Sequence, residues 1–369
     1  MNLDLLQKID RIHPYPAKYT VDLAIEYISK YTKEGDTVFD PFVGSGTTLL
    51  AASALHRKGY GTDINHIAIL ISKAKLLHLS QSEISDLQRF ANSFERGYIE
   101  GCTNVTPYYY PSIEHWFCEN SIAVLSYLLE LKKTLTTEQE RIFVELAMSA
   151  IINIVSNQEG DTRYAAIEKP DLTIEKVANT FLKKYRSLLS LMQELNGEDR
   201  SEKDNSAVLL DSKLCGTLLK DGSVDLILTS PPYVNTYDYY LYHKHRMNWL
   251  GYDVKYSMET EIGSRREFSS LKHSEDKFSD DLYTIFEACN KTLRLNGKVV
   301  LVIGDGKVAG NIYDAKENII RLCSSLGWKL IDYSYSNLDE TSRSFQKSYR
   351  TKGKKEHIMV FNKETSYEN

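Results

Sequence analysis

Residues 35–65, GDTVFDPFVGSGTTLLAASALHRKGYGTDIN, decide the predicted fold. TVFD is typical of a short buried strand and PFVGSGTT of a glycine turn. LLAASALHRK is typical of a helix, and GYGTDIN indicates a second strand that ends at Asp63. This order is a β-α-β unit with its turn at the carboxyl end of the first strand. Open parallel sheets bind ligands at that edge, so we expect a ligand site here.

Further strands and helices extend this unit to an α/β fold. The predicted strands are SAVLLDS (206–212), VDLILTS (224–230), GKVVLVIGD (297–305), GWKLIDYSY (327–335) and EHIMVFN (356–362). The predicted helices of the same domain are VDLAIEYISKYTK (21–33), DLYTIFEACNKTLRL (281–295) and NIYDAKENIIRLCSSL (311–326). We expect six or seven mostly parallel strands with helices on both faces, and the last strand as an antiparallel edge.

The intervening residues, 66–205, have a different pattern. Apolar residues recur there at helical spacing over four long runs. We therefore predict a mostly helical insertion at 66–205, within an α/β domain formed by 1–65 and 206–369.

The composition limits the class of protein. None of the apolar runs is long enough for a membrane span, the amino terminus lacks a signal-peptide pattern, and the five cysteines include no C-x-x-C pair. We therefore expect a cytoplasmic protein with no metal site and no membrane partner. The net charge of -5 argues against a generally basic nucleic-acid surface, so positive charge must be local. One local candidate is TSRSFQKSYRTKGKK (341–355), which otherwise is a solvated loop.

The glycine turn DPFVGSGTT (40–48) differs from a phosphate-binding loop. Such a loop needs a lysine after its last glycine, and none occurs between Lys33 and Lys58. Gly44 and Gly46 instead allow the backbone to approach a bulky neutral or zwitterionic ligand. Asp40 would attract an ammonium group, and Asp63 could bind ribose hydroxyls. These features favour S-adenosyl-L-methionine over ATP.

With these features the chain resembles the amino-methylating DNA methyltransferases, which modify cytosine N4 or adenine N6. DPFVGSGTT looks like their cofactor-binding motif, TSPPY (229–233) looks like their catalytic motif, and residues 13–36 are similar to the segment before the cofactor motif. The resemblance covers 13–65 and about 206–362. It implies that 1–65 and 206–369 form the catalytic and cofactor-binding domain, and that the insertion at 66–205 is a candidate target-recognition region or only scaffold. It implies a Rossmann-like S-adenosylmethionine-dependent methyltransferase fold with a seven-stranded, mostly parallel sheet. It also implies cofactor contacts from Lys18, Asp40, Pro41, Phe42, Gly44, Gly46, Thr47, Asp63 and Asp211.

The Ser-Pro-Pro-Tyr loop suits chemistry on an exocyclic amino group. The lone pair of that group is delocalised into the ring, and acceptors that are fixed in place can free it for attack on a methyl group. The Ser230 hydroxyl and the Pro231 carbonyl are the candidate acceptors, and Pro232 restricts the backbone of Pro231. Tyr233 is the candidate ring for stacking a base that has left the duplex.

The identity of the base stays open, with a preference for cytosine N4. A serine at the first motif position favours cytosine N4 within the resembled family, whereas aspartate or asparagine favours adenine N6. Absence of a Pro-Cys pair argues against cytosine C5 methylation, and absence of P-C-x-x-C argues against a zinc deaminase. The alternatives are an adenine N6 enzyme, an RNA base methyltransferase, or a non-catalytic subunit that binds DNA or cofactor.

The expected substrate is double-stranded DNA with a flipped base, in restriction–modification or another self-marking system. A cognate restriction endonuclease would then be a genetic partner. Many serine-type members have the catalytic motif first, whereas here the cofactor motif precedes it by some 140 residues. The candidate DNA contacts are Tyr237, Lys244, Arg246, Arg265, Arg266, Lys347 and Arg350. For the tyrosines after the motif, packing within the protein is the alternative.

Overall fold

The structure is a computed structural model that describes residues 2–201, 204–338 and 354–364. Its strands are β1 Thr37–Asp40, β2 Lys58–Asp63, β3 Gln158–Gly160, β4 Arg163–Ala166, β5 Asn205–Leu209, β6 Val224–Thr229, β7 Leu293–Gly304, β8 Gly306–Val308, β9 Asn311–Tyr313, β10 Trp328–Asn337 and β11 Lys355–Lys363. Its α-helices are α1 Leu3–Asp10, α2 Val21–Tyr31, α3 Thr47–Ala54, α4 His66–Lys75, α5 Gln81–Asn104, α6 Ile113–Trp116, α7 Glu119–Lys132, α8 Glu138–Ile152, α9 Ile174–Asn196, α10 Tyr239–Tyr242, α11 Lys244–Leu250, α12 Val254–Thr260, α13 Arg265–Ser269, α14 Glu275–Thr292 and α15 Ala315–Ser325. A 3-10 helix, Ser212–Thr217, follows β5.

The chain divides into two compact units. The helical unit consists of Met1–Pro16, Lys73–Asp199 and Leu241–Lys255. The sheet unit consists of Ala17–Ser72, Arg200–Tyr240 and Tyr256–Asn369. The longest segment of the helical unit, Lys73–Asp199, therefore lies within the predicted insertion at 66–205. The helical unit also contains Met1–Pro16 and Leu241–Lys255, which we had expected in the other domain.

The central sheet has seven strands in the order β10-β11-β7-β6-β1-β2-β5. The neighbours from β7 to β5 are parallel, and β11 is antiparallel to both β7 and β10. This arrangement confirms the predicted mostly parallel α/β sheet. The expectation that β11 forms an edge was wrong, because β11 lies between two strands and β10 is the edge. The burial of β11 is consistent with this interior position, since its residues Met359, Val360 and Phe361 are almost fully buried.

Apolar side chains of the strands and the covering helices form one core in the sheet unit. Phe39 of β1, Ile227 of β6 and Val299 of β7 are buried there. Phe278 and Phe286 of α14 pack into the same cluster. Each such side chain contributes roughly 1.5–3 kcal/mol of hydrophobic stabilisation, so this core can hold the sheet's carboxyl edge in a defined geometry.

The helical unit is built around aromatic contacts between long helices. Tyr185 of α9 lies 4.9 Å from the Phe143 ring of α8 and 5.7 Å from the Phe90 ring of α5, measured between centroids. Its hydroxyl donates to the carbonyl of Leu87 at 2.8 Å, so the buried polar group is satisfied. In the described part of the chain, every helix is too short or too polar to traverse a bilayer.

Candidate cofactor and catalytic site

Strands β1 and β6 bring the two sequence motifs next to each other. The strands are parallel neighbours, with Phe39 opposite Ile227, so their carboxyl ends meet at one edge. The Thr229 hydroxyl at the end of β6 donates to Asp40 Oδ1 at the end of β1, at 2.5 Å. The Thr48 hydroxyl of α3 donates to the Leu228 carbonyl at 3.3 Å. A hydrogen bond therefore joins the start of the glycine turn to the start of the Ser-Pro-Pro-Tyr loop.

Asp40 holds the glycine turn from inside the protein. Its side chain is 2% exposed and also accepts hydrogen bonds from the Thr48 hydroxyl, the Phe42 N–H and the Tyr19 hydroxyl. Burial raises the pKa of Asp40 to about 6, although these hydrogen bonds oppose the shift. The carboxylate thus organises the turn, and little of its surface is left for the predicted direct contact with an ammonium group.

Asp63 fixes the first glycine of the turn. Its Oδ2 accepts the Gly44 N–H at 2.9 Å, and its Oδ1 accepts the Asn65 N–H at 2.8 Å. Burial raises the pKa of Asp63 to about 6. The Ser72 hydroxyl donates to the Gly44 carbonyl at 2.9 Å, so both backbone polar groups of this glycine are held. The position of Asp63 at the end of β2 is the one predicted for a ribose contact.

The other predicted cofactor residues differ in accessibility. Lys18, Phe42 and Gly44 are half-buried, as are Asp63 and Asp211, whereas Pro41, Gly46 and Thr47 are buried. Asp211 begins the 3-10 helix and accepts the Lys213 N–H at 3.0 Å. Because Asp63 pairs with Leu209, Asp211 follows the neighbouring strand end by two residues. Phe42, Gly44, Asp63 and Asp211 thus lie at or just after the carboxyl ends of β1, β2 and β5, which fits a ligand that carries hydroxyl and ammonium groups.

Tyr233 anchors the Ser-Pro-Pro-Tyr loop in the core. Its side chain is 5% exposed, and its hydroxyl donates to Glu356 Oε1 at 2.8 Å. Burial, and then the Glu356 carboxylate, raise the pKa of Tyr233 well above its usual value, so the phenol is a neutral donor. The stacking of a base on this ring stays a prediction, and the structure leaves little ring surface exposed for it.

The residues after the motif are fixed at both ends. Asn235 has a left-handed backbone (φ 52°), its N–H donates to the Gly263 carbonyl at 2.8 Å, and its side-chain amide donates to the Lys307 carbonyl at 2.6 Å. Glu261 accepts the backbone N–H groups of Tyr239 and Tyr240 at 2.8 and 2.9 Å. Burial raises the pKa of Glu261 to about 8. The loop therefore has a defined conformation, as a site with fixed acceptors requires.

Two of the predicted DNA contacts are buried. Tyr237 is 4% exposed and packs beside Tyr239, 5.5 Å between ring centroids. Arg246 has no exposed surface, and its guanidinium donates to the Ser149 carbonyl at 3.0 Å and to Asp161. Both side chains are enclosed by protein in this structure, which is unfavourable for the predicted phosphate contacts. Arg246 is enclosed because its face of α11 packs inward, and Tyr237 lies in the loop before α10 and packs against its own neighbours.

The remaining DNA-contact predictions are not decided by burial. Lys244, Arg265 and Arg266 are half-buried. Lys244 Nζ lies 5.5 Å from the centroid of the Tyr164 ring. Arg266 donates its backbone N–H to Asp238 at 3.1 Å. Lys347 and Arg350 lie outside the described residues, as do most residues of the basic run at 341–355.

Sequence reasoning missed the residues that support Tyr233. A Cβ atom on Gly304 would lie 2.6 Å from the Tyr233 ring, and a Cβ on Gly306 would lie 2.1 Å from a Val234 methyl group. The signal was present as the Gly-Asp-Gly that ends the predicted strand at 297–305, because paired glycines there indicate a close backbone approach. Glu356 had no comparable signal in the sequence.

The sheet order, the glycine turn and the carboxylates at the strand ends match the predicted Rossmann-like α/β fold with a mostly parallel, seven-stranded sheet. The comparisons with known proteins point to DNA methyltransferases. A family described as DNA methylase matches residues 4–74. The chain is 29% identical over 280 residues to the type II methyltransferase M.MvaI of Kocuria varians, covering 71% of this chain and 61% of that protein. It is 21% identical over 407 aligned residues to the type II methyltransferase M.MjaII of Methanocaldococcus jannaschii, covering 84% of this chain and 75% of that protein.

These matches confirm the resemblance to the amino-methylating DNA methyltransferases. The chain spans less than two thirds of the length of M.MvaI. Among solved structures, the chain is similar to a SAM-dependent methyltransferase from Methanosarcina mazei, with a TM-score of 0.37 and 8% identity, covering 92% of this chain and 98% of that one.

Proposed function

We propose that this protein is an S-adenosylmethionine-dependent DNA methyltransferase that acts on the exocyclic amino group of a base, most favourably cytosine N4. The observation that carries the proposal is the hydrogen bond between Thr229 and Asp40, which joins the two motifs at the carboxyl ends of adjacent strands. Strands with this relation place a cofactor and a reacting group at the same edge of the sheet.

The cofactor would lie along the carboxyl ends of β1, β2 and β5. Gly44 and Phe42 would contact its amino acid part, Asp63 its ribose, and Asp211 its adenine, with Lys18 near its carboxylate. When bound, S-adenosylmethionine supplies an electrophilic methyl group on a sulfonium. Asp40 would act through the turn whose backbone it fixes, because its own carboxylate is enclosed.

The loop of Ser230 and Pro231 would orient the amino group of the substrate. Both residues follow β6 directly, and Ser230 is half-buried at the sheet edge. A hydroxyl and a carbonyl that accept the two N–H bonds would direct the nitrogen lone pair toward the methyl group. Pro232 would keep these acceptors fixed, since its ring restricts the residue before it. The protein would thus supply positioning and charge stabilisation, with no covalent enzyme intermediate.

The preference for cytosine N4 rests on Ser230 at the first position of the catalytic motif. Double-stranded DNA with an extrahelical base would be the substrate, since a base within the stack cannot bring its amino group to the loop. Restriction–modification is the expected context in a cytoplasmic setting, with a cognate endonuclease as genetic partner. The similarity to type II methyltransferases supports this context.

The deciding experiment is transfer from methyl-labelled cofactor to unmethylated genomic DNA, followed by mass spectrometry of the nucleosides. We expect labelled N4-methylcytosine. Labelled N6-methyladenine would assign adenine as the base, and label only in RNA would overturn the DNA assignment. Cofactor binding without any transfer would favour a non-catalytic subunit.

A matched pair of variants tests the loop. Pro231→Ala frees the backbone that would hold the acceptors, so we expect the transfer rate to fall by about 100-fold while cofactor affinity is kept. Glu287→Ala, on the exposed face of α14, is the control and should transfer normally. An unchanged rate for Pro231→Ala would contradict the proposed role of the loop.

A further inference from the structure

We infer that one rung of the sheet, the pair Gly304 and Glu356, positions the Ser-Pro-Pro-Tyr loop through Tyr233, which makes both residues positioning residues for methyl transfer. This inference rests on the proposed function. It follows from a contact that joins residues 123 positions apart in the chain, the hydrogen bond from the Tyr233 hydroxyl to Glu356 Oε1.

Strands β7 and β11 each provide one of the two contacts that hold the Tyr233 ring. Gly304 of β7 and Glu356 of β11 are direct partners in the antiparallel ladder. Gly304 provides space, since a Cβ there would lie 2.6–2.7 Å from two carbons of the Tyr233 ring. Glu356 provides the acceptor for the hydroxyl at the far end of the same ring. Contact with Gly304 therefore fixes the face of the ring, and the hydrogen bond to Glu356 fixes its hydroxyl end.

The rung itself is held rigidly by Asp305. The Asp305 N–H donates to the Lys355 carbonyl at 2.8 Å, and Asp305 Oδ2 accepts the Lys355 N–H at 2.9 Å. Asp305 Oδ1 lies 3.0 Å from His357 Nε2 and accepts the Ala315 N–H at 3.0 Å. The residues on both sides of Glu356 are thus tied to the residue that follows Gly304. Because Gly304 and Glu356 are held in place in this way, their contacts fix the position of the Tyr233 ring.

The direction of the hydrogen bond explains why an acceptor is needed at 356. The buried phenol of Tyr233 is a neutral O–H donor, and a buried donor without a partner costs about 1–3 kcal/mol. Loss of the acceptor therefore favours displacement of the ring, and Tyr233 directly follows the proline pair that would hold the catalytic carbonyl. Displacement by about 1 Å is enough to cost about 100-fold in rate.

The test compares Glu356→Ala with Glu356→Gln, which keeps an acceptor oxygen. For Glu356→Ala we expect kcat for DNA methylation to fall by about 10- to 100-fold, with the cofactor Kd unchanged within about twofold. Glu356→Gln should restore most of kcat. Glu364→Ala is the control, because Glu364 follows the other end of β11 and pairs with Lys329 at the surface.

A double-mutant cycle with Tyr233→Phe separates positioning from general stability. Tyr233→Phe removes the donor, so Glu356→Ala should have no further effect on kcat in that background. Additive losses, or a Glu356→Ala protein whose thermal midpoint falls while kcat is kept, would overturn the inference. Gly304→Ala should give the same fall in kcat, because the added methyl group displaces the ring.

An independent readout does not depend on the reaction. With tyrosine labelled with ¹³C at Cζ, the Tyr233 resonance, assigned by its loss in Tyr233→Phe, should shift in Glu356→Ala and stay in place in Glu364→Ala. An unshifted resonance overturns the inference whether or not DNA is the substrate. If the wild-type protein methylates no DNA but the resonance shifts in Glu356→Ala, the proposed function is refuted. The positioning of Tyr233 by Glu356 is then still established.

Discussion

Gly46 occupies a place in the glycine turn where backbone and packing both exclude a side chain. Its φ of 78° lies in the left-handed region, and a Cβ atom would lie 2.7–2.9 Å from three atoms of Ser72. From the sequence alone, close approach of a ligand was the expected reason for this glycine. The structure shows an additional cause, which is the contact between the turn and α4. Such a contact depends on tertiary packing, so the motif predicted the glycine without predicting its reason.

We predict that Gly46→Ala destabilises the protein by about 3 kcal/mol or more and weakens cofactor binding. The left-handed backbone alone costs an alanine about 1–2 kcal/mol, and the overlap with Ser72 adds to it. Gly35→Ala separates the two effects, because Gly35 has a φ of 83° with open space around its Cβ position. Urea unfolding and calorimetric titration with cofactor measure both quantities. Equal losses in the two variants would rule out the role of Ser72.

Residue identity was enough to find DPFVGSGTT and TSPPY, because short motifs carry their chemistry locally. It was not enough for Glu356, whose contact with Tyr233 depends on the register of β7 and β11. Nor could it show that Arg246 is buried, since a short helix with mixed polarity has no single outward face in the sequence.

At the scale of elements, strand positions were predicted well and strand order was predicted in part. β1, β2 and β6 match the predicted runs within a residue, because buried strands have strong local patterns. The interior place of β11 follows from the crossover between β7 and β10, which no local pattern records. The helices of 66–205 were equally visible, and two of them begin with linked caps.

The caps of α5 and α8 share a carboxylate. Glu83 Oε2 accepts the Ser80 N–H and hydroxyl at 2.8 Å, and Glu83 Oε1 accepts the hydroxyl of Thr137, the N-cap of α8, at 2.9 Å. We predict that Glu83→Ala lowers the free energy of unfolding by about 1–2 kcal/mol, since two helix starts lose a partner.

Denaturant unfolding with Glu95→Ala as the comparison tests this prediction. Glu95 lies on the same helix and pairs with Arg186, with both side chains about half exposed. A pair of this kind contributes under about 1 kcal/mol. A cost for Glu83→Ala that is no larger than the cost for Glu95→Ala would show that the caps are not coupled through Glu83.

At the scale of the whole molecule, burial shifts the pKa values of carboxyl groups in the sheet unit and of histidines in the helical unit. The sheet unit buries Asp40 and Glu261, whose pKa values burial raises to about 6 and about 8. The helical unit buries His13 and His243, and burial lowers both of their pKa values well below the usual value. A net charge of -5 for the chain would not reveal this difference.

The two units should therefore respond to pH in opposite directions. Asp40 and Glu261 have higher pKa values in the folded protein than in the unfolded chain. As pH rises above about 4, the unfolded chain therefore loses these protons before the folded protein does. The sheet unit then loses stability up to about pH 8, by a few kcal/mol in all. His13 and His243 have lower pKa values in the folded protein than in the unfolded chain. As pH falls below about 6.5, the unfolded chain therefore binds protons before the folded protein does. The helical unit then loses stability on acidification.

Native-state hydrogen exchange, read peptide by peptide at pH 5.5, 6.5 and 8, measures the opening free energy of each unit. We expect protection in the sheet unit to fall from pH 6.5 to 8, and protection in the helical unit to fall from pH 6.5 to 5.5. Glu261→Gln should reduce the first response and leave the second, whereas His13→Gln should reduce the second, in part because His243 remains, and leave the first. Parallel responses of both units in the wild-type protein would contradict this assignment, because a shared set of groups would then control the stability of the whole chain.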